Sequence, residues 1–158
     1  MKIARFQSFE EQSSPDQGPK RLAALRKEIR TQGLAGFLVP RTDMYQGENV
    51  APKDERLAWL TGFTGSAGFC VALMKTAGLF IDGRYRVQVK NQTNKVFTPV
   101  HWPETSLAAW LNKNMRHGES IGFDPWLHTV SEIEKTQSDL SDTGISLKPI
   151  ENPIDKIW

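Results

Sequence analysis

Apolar residues at helical spacing mark the first regular element of the chain. Leu22, Leu25 and Ile29 share one face of a segment that begins at Pro19 and ends at Gly33, and this spacing predicts an amphipathic helix. Similar patterns predict four more helices. They begin near Pro52, Arg84, Pro103 and Thr129, the last of which forms a capping-box pattern with Glu132.

Short apolar runs between these helices predict strands. The runs Phe69–Leu73 and Leu79–Ile81 predict an antiparallel hairpin that is buried on both faces. A strand at residues 96–100 contains Pro99, which has no N–H for a sheet ladder and therefore indicates an edge position. The remaining predicted strands lie at residues 35–39, 120–123 and 145–150. This alternation predicts an α/β fold with a mixed β-sheet of about six strands, flanked by helices, and a central antiparallel hairpin.

The chain is long enough for a single core. It has 158 residues, of which 39% are hydrophobic, so we predict a single domain over residues 18–158. Residues 1–17 are polar and predict a mobile lead-in. Within that lead-in, Ile3, Phe6 and Phe9 recur every third residue and could pack as one helical turn.

A glycine-rich corner precedes the hairpin. Gly62, Gly65 and Gly68 have a spacing that invites comparison with a phosphate cradle, but such a cradle follows a strand and opens a helix, and this corner does the reverse. We therefore predict a structural corner in which small residues allow the helix to approach the sheet closely. After the hairpin, Gly83 is expected to let the backbone turn, and Asp82 to cap the next helix.

The charge and cysteine content narrow the class of protein. A net charge of +2 is too close to balance to indicate a nucleic-acid or anionic-membrane partner. The single cysteine, Cys70, lies in an apolar strand and cannot form an internal disulfide, so we predict an inert core thiol and a cytosolic protein. No apolar run approaches the length that spans a membrane.

Polar residues gather after two of the predicted strands. The loop at residues 41–51 carries Asp43, Gln46 and Glu48, and Arg84 follows the hairpin. Because α/β folds place chemistry at the carboxyl ends of strands, these four residues are candidates for binding. Two structural alternatives remain open at this stage: an ordered surface loop, and an Asp82–Arg84 pair without a functional role.

Several motifs together resemble a known family. They are Val39-Pro40-Arg41-Thr42-Asp43, Gln46-Gly47-Glu48, Asp54-Glu55-Arg56, the run from Trp59 to Gly68, Asp82-Gly83-Arg84-Tyr85 and the run from Asn152 to Trp158. With this set, the chain after its first twenty residues resembles the creatinase/prolidase N-terminal domain of Xaa-Pro aminopeptidases (aminopeptidase P). Relatives usually carry a histidine and a tyrosine where this chain has Tyr45 and Asn49.

The resemblance implies a segment without catalytic residues. In the family, two divalent ions, usually manganese, activate the water that cleaves the bond before proline, and their ligands lie in the following domain. We therefore expect no cofactor or metal in this segment. The implied partners are its own C-terminal catalytic domain, a second copy in a homodimer, and a peptide with proline in second position. Arg84 is expected nearest the substrate, with Asp43, Gln46 and Glu48 on the same rim of the cleft.

Other features bear on the same expectation. His101, His117 and His128 have no paired metal-ligand spacing and are predicted to be surface or loop histidines. The apolar ending, with Ile154 and Trp158, is expected to face a partner surface in the rest of a longer polypeptide.

Three alternatives remain open. The chain could be a stand-alone binding module that keeps the fold without the catalytic half, or it could belong to a creatinase- or prolidase-like hydrolase. A lesser alternative is a magnesium-dependent nuclease, because Asp43, Asp82 and Asp124 each fall at or just after a predicted strand end.

Overall fold

The computed structural model describes residues 13–158, and in this part of the chain helices alternate with strands except at the β2–β3 hairpin. The helices are α1 (Gly18–Thr31), α2 (Arg56–Thr61), α3 (Gln88–Gln92), α4 (Leu107–Asn114) and α5 (Val130–Asp139). The strands are β1 (Gly36–Pro40), β2 (Phe69–Leu73), β3 (Ala77–Ile81), β4 (Thr98–His101), β5 (Ser120–Phe123) and β6 (Ser146–Pro149). The helical turn suggested for Ile3, Phe6 and Phe9 lies outside the described residues.

The strands form one six-stranded sheet in the order β4-β3-β2-β1-β5-β6. β2 pairs antiparallel with both β1 and β3, whereas the pairs β1–β5, β3–β4 and β5–β6 are parallel. β2 therefore runs against the other five strands. This topology confirms the predicted α/β fold, its mixed sheet and its central hairpin. β4 is an edge strand, as Pro99 predicted.

Alternate residues of the central strands enter two separate cores. In β1, Phe37 and Val39 pack with the side chains of α1, α2 and α3, whereas Leu38 packs with Leu111 of α4 on the other face of the sheet. Because both faces are covered, the strands read as continuous apolar runs. The molecule is consequently a three-layer sandwich of helices, sheet and helices.

Two helices begin later than the proline signals predicted. Residues Pro52–Asp54 form a 3-10 turn, and α2 starts at Arg56. α4 starts at Leu107 rather than Pro103, because the Ser106 side chain accepts a hydrogen bond from the Ala109 N–H and acts as the N-cap. At α5 the predicted capping box of Thr129 and Glu132 is present.

The two glycine turns differ from each other. Gly62 ends α2 with φ 83°, and a Cβ there would meet the Gln92 carbonyl and lie 2.9 Å from Ser13 Oγ, so only glycine fits. Gly83 lies in the 3-10 turn that follows β3, where a turn was predicted, but glycine is not required there, because its φ is not in the left-handed region and the nearest heavy atom to a Cβ would be 4.0 Å away.

Both ends of the described chain are packed against the sandwich. Ser13 Oγ lies 2.7 Å from the Gly62 carbonyl oxygen and 2.8 Å from that of Gln92, and its single proton is shared between them, so the end of the predicted lead-in contacts the domain. Ile154 is fully buried in the core rather than exposed as expected. Trp158 stacks on Trp59 with ring centroids 5.6 Å apart. Across residues 13–158, no helix is both long and apolar enough for a membrane span.

Candidate functional site

The candidate site lies at one end of the sheet, where the five mutually parallel strands have their carboxyl ends. The register pairs Pro40 with Phe69 and Ile81 with His101, so the ends of β1, β3 and β4 lie together. β5 and β6 end on the same side because both run parallel to β1. We call this surface the strand-end edge. The loop at 41–51, the corner at 62–68 and the turn at 82–84 all open onto it.

Arg41 fastens the loop to the rest of the edge. Its Nη2 lies 3.0 Å from Glu55 Oε1, and its Nη1 donates to the carbonyls of Glu48 at 3.4 Å and Ser66 at 3.3 Å. Its Nε is buried without a hydrogen-bond partner. One side chain thus joins the loop, the segment before α2 and the glycine corner.

Tyr85 continues this network from the corner to the turn after β3. The Tyr85 hydroxyl lies 2.5 Å from Ser66 Oγ and accepts a hydrogen bond from the Ser66 N–H at 3.2 Å. The ring contacts Phe63 edge-on, with centroids 5.4 Å apart. The Arg84 guanidinium carbon lies 5.3 Å from the centroid of the same ring, within cation–π range.

Arg84 is held by two neighbours and still faces solvent. Its Nε donates to Asp82 Oδ1 at 3.1 Å and its Nη2 donates to Asp82 Oδ2 at 2.6 Å, a bidentate arrangement. Asp82 also caps the 3-10 turn Gly83–Tyr85 by accepting from the Arg84 N–H, as predicted. These hydrogen bonds lower the pKa of Asp82 below its ordinary value. The Arg84 side chain remains 69% exposed, so the Nη1 group is available to a ligand.

The loop candidates have different surroundings. Asp43 Oδ1 accepts hydrogen bonds from the Tyr45 N–H at 2.9 Å and the Gly47 N–H at 3.0 Å, so this carboxylate holds the loop in shape. Gln46 has φ 56°, and Glu48 is exposed. The structure therefore brings the loop and Arg84 to the strand-end edge. The Asp43 carboxylate bonds to backbone N–H groups of its own loop, and Arg84 pairs with the nearby Asp82.

The three carboxylates of the nuclease alternative do not form a metal site. Asp124 is buried, accepts from the Trp126 N–H at 2.9 Å and accepts from Asn152 Nδ2 at 3.1 Å. Asp43 and Asp82 hold their own turns, as described above. Within residues 13–158, no group of three or more His, Cys, Asp or Glu side chains could hold a metal ion. The described residues therefore do not supply the ligands that a dinuclear metal centre needs. The family resemblance implies that such a centre lies in the following domain.

The histidines and the cysteine have no shared site. His101 and His117 are exposed, as predicted. His128 lies in the loop before α5, as predicted, but it is largely buried: its ring packs edge-on against Phe123 with centroids 5.8 Å apart, its Nε2 is buried, and this burial lowers its pKa. Cys70 is fully buried, which raises the pKa of its thiol to about 12 and makes it an unreactive core residue, as predicted.

Apolar side chains at the strand-end edge escaped the sequence-based reasoning. Of the eight large apolar side chains exposed among the described residues, four closely follow strand ends: Met44, Tyr45, Trp102 and Trp126. Tyr45 is 84% and Trp126 is 70% exposed. Such residues have no periodicity to reveal them. The available signal was an aromatic residue next to the end of a predicted strand.

The geometry defines a three-layer α/β domain whose candidate site is an open edge rather than an enclosed catalytic pocket. The chain belongs to the creatinase/prolidase N-terminal domain family, whose model matches residues 21–157. This confirms the resemblance that the motifs carried.

Relatives and solved structures agree with this assignment. The chain is 35% identical over 145 residues to rat Xaa-Pro aminopeptidase 2, covering 87% of this chain and 21% of the relative. It is 38% identical over 130 residues to the Drosophila melanogaster Xaa-Pro aminopeptidase ApepP, covering 80% of this chain and 21% of the relative. The chain thus spans about a fifth of the length of these relatives.

Two solved structures show the same fold. The X-prolyl aminopeptidase of Caenorhabditis elegans, a cytosolic enzyme with a di-nuclear active site, superposes with a TM-score of 0.82 at 30% identity, over 89% of this chain and 25% of that one. The N-terminal domain of the cytoplasmic peptidase PepQ from Mycobacterium tuberculosis superposes with a TM-score of 0.70 at 22% identity, over 88% of this chain and 98% of that one. Because the identity to the PepQ domain is only 22%, this likeness shows the fold alone.

Proposed function

We propose that this chain is the non-catalytic N-terminal domain of an Xaa-Pro aminopeptidase-like metallopeptidase, and that its strand-end edge walls the active-site cleft. The observation that carries the proposal is the convergence on this edge of an exposed guanidinium, Arg84, with the exposed rings of Tyr45, Trp102 and Trp126. Exposed aromatic groups beside a fixed charge suit contact with another surface or a peptide.

The parent enzyme would remove the N-terminal residue that precedes proline. Its reaction would take place in a C-terminal catalytic domain at two divalent ions, which we expect to be manganese. The support is family membership, the Xaa-Pro aminopeptidases among the relatives, and the di-nuclear active site of the C. elegans enzyme. We further propose a cytosolic location and a homodimer to which this domain contributes.

Arg84 is the residue that we place nearest the substrate. Asp82 and the Tyr85 ring fix its guanidinium, which lowers the entropy lost when it grips a peptide carbonyl or carboxylate. Gln46 and Glu48 would lie on the same rim. For Asp43 we propose an indirect role, since its carboxylate shapes the loop that carries both.

Kinetics of the full-length enzyme test the role of Arg84. Because a hydrogen bond to a charged group contributes about 1.5–3 kcal/mol, Arg84→Ala should lower kcat/KM for a proline-second peptide roughly tenfold to a hundredfold without altering metal content. The control is Arg86→Ala, two residues away, which removes an exposed arginine paired with Glu104. Unchanged kinetics for Arg84→Ala, or an equal loss for the control, would remove Arg84 from the site.

The isolated domain tests whether residues 1–158 lack peptidase activity of their own. Purified residues 1–158 should fold and release no amino acid from a proline-second peptide, with or without added manganese, because the described residues offer no metal site. Metal-stimulated release of the first residue by this domain would contradict a non-catalytic role.

A further inference from the structure

A second surface lies at the opposite edge of the sheet from the candidate site. It is a groove of about 820 Å³ between the turn that joins β2 to β3, the end of α4 and the segments that precede β1 and β5. We call it the cationic groove, because Lys75, Lys113, Arg116 and Lys148 line it.

The four cations are exposed and have no ion-pair partners. None of the salt bridges among residues 13–158 involves them. The one acid in the groove, Glu119, turns its carboxylate to the Arg116 backbone N–H at 2.7 Å. With four cationic and one anionic side chain, the groove carries a net charge of +3, whereas the whole chain carries +2. The excess positive charge of the chain is therefore concentrated here.

Part of the lining between the cations is apolar, and Thr76, Asn114 and Ser120 add polar groups to it. Leu34, Leu73 and Met115 are buried at its floor, and Met74 is partly buried beside them. A ligand that fills the groove would thus meet aliphatic side chains, thioethers, neutral polar groups and positive charge together. Protein-binding surfaces usually combine apolar and polar groups in this way.

We propose that the cationic groove docks an acidic peptide segment of a partner protein, with apolar side chains interspersed among the acids. Carboxylates of the segment pair with the four cations, and its apolar side chains cover Met74 and Met115. A nucleic acid fits less well, because no lining residue is aromatic and bases would have nothing to stack on. A small free anion also fits less well, because the cations are exposed side chains spread around a wide groove.

The inference does not depend on the proposed peptidase role. The groove lies at the amino ends of β1 and β5, away from Arg84 and the loop at 41–51, so a partner can occupy it while the strand-end edge faces a catalytic domain. The kinetics of Arg84→Ala test the proposed peptidase role, and the binding experiment described next tests the groove. Either proposal can therefore be refuted without the other.

The test measures fluorescence anisotropy of a short fluorescein-labelled peptide that alternates glutamate and leucine, titrated with residues 1–158. We compare the parent chain with a groove variant, Lys75→Glu, Lys113→Glu, Arg116→Glu and Lys148→Glu. The matched control carries the same charge change at exposed lysines outside the groove: Lys20→Glu, Lys27→Glu, Lys90→Glu and Lys95→Glu. Circular dichroism establishes folding, and a groove variant with glutamine at the four positions replaces the first if that one does not fold.

The groove variant should bind the peptide weaker by about tenfold or more, because four partly screened ion pairs are lost together, and the control should change little. Replacement of leucine by serine in the peptide should also weaken binding. Equal binding by the parent and the groove variant, or equal losses in both variants, would overturn the proposal. So would equal affinity for the serine peptide, or tighter binding of single-stranded poly-dT than of the glutamate–leucine peptide.

Discussion

The hydroxyl of Tyr85 offers the sharpest test of how the candidate site is held together. This one group accepts the Ser66 N–H and meets Ser66 Oγ at 2.5 Å, so it joins the glycine corner to the turn that carries Arg84. Tyr85→Phe removes the hydroxyl and keeps the ring that packs on Phe63 and Arg84. The substitution therefore isolates the network from the packing.

The expected loss of stability follows from the surroundings of the two residues. An internal hydrogen bond contributes a net of about 0.5–1.5 kcal/mol, and water can reach the exposed Ser66 to replace part of it, so we expect Tyr85→Phe to cost about 1 kcal/mol. A domain of this size should then lose roughly 2–4 °C in Tm. Ser66→Ala should cost less, because the backbone N–H still reaches the phenol.

The chain supplies a matched control for this substitution. It contains two tyrosines, and Tyr45 is highly exposed, so Tyr45→Phe makes the same chemical change outside the network. Urea unfolding of residues 1–158, followed by tryptophan fluorescence, measures all of the variants. A double-mutant cycle of Tyr85→Phe and Ser66→Ala should give a coupling of about 0.5 kcal/mol or more. Equal stability of the Tyr85→Phe and Tyr45→Phe variants would refute this reasoning.

Three further predictions concern single positions. Gly62→Ala should destabilise the domain by about 1–3 kcal/mol in urea unfolding, because the backbone there is left-handed and a Cβ would be crowded. The control Gly83→Ala should change the free energy of unfolding by less than about 0.5 kcal/mol, and equal losses for the two variants would contradict the prediction. Cys70 should react with a thiol reagent at pH 8 only in denaturant, since its pKa of about 12 keeps it protonated and burial blocks access; rapid native-state labelling would contradict this. His128 binds its proton less readily in the folded state, because burial lowers its pKa. It therefore contributes stability that is fully present above its unfolded pKa of about 6.5 and is lost as the pH falls through its lowered folded pKa. His128→Gln should reduce this loss of stability at acidic pH, and a pH–stability profile identical to that of the parent would refute the prediction.

Local signals were sufficient to predict most of the fold. β2 begins and ends where its apolar run predicted, and the capping box at Thr129 and Glu132 is present, because both depend on neighbouring residues. The start of α4 was misjudged because two local signals competed: Pro103 can begin a helix, but the Ser106 hydroxyl caps a backbone N–H that the alternative leaves free. The structure shows that the Ser106 cap sets the start of the helix.

The candidate site was only partly predictable, because its contacts span long distances in sequence. The positions of Arg84 and the loop at 41–51 followed from strand ends, which a pattern of apolar runs can locate. Arg41 reaches Ser66, 25 residues away, and Asn152 reaches Asp124, 28 residues away. No periodicity or motif spacing indicates such pairs. The same limit hid the exposed rings of the strand-end edge.

The orientation of β2 explains why the stretch from α2 to Arg86 organises the domain. Because β2 runs against the other strands, its amino end lies at the strand-end edge, and the hairpin returns the chain to that edge at the end of β3. One short segment thus delivers both the glycine corner and the Arg84 turn beside the loop that follows β1. A slip of one residue in the β1–β2 register would move Ser66 away from Arg41 and turn every buried side chain of β2 to the opposite core. The double burial of β2 therefore fixes the geometry of the candidate site as well as the fold.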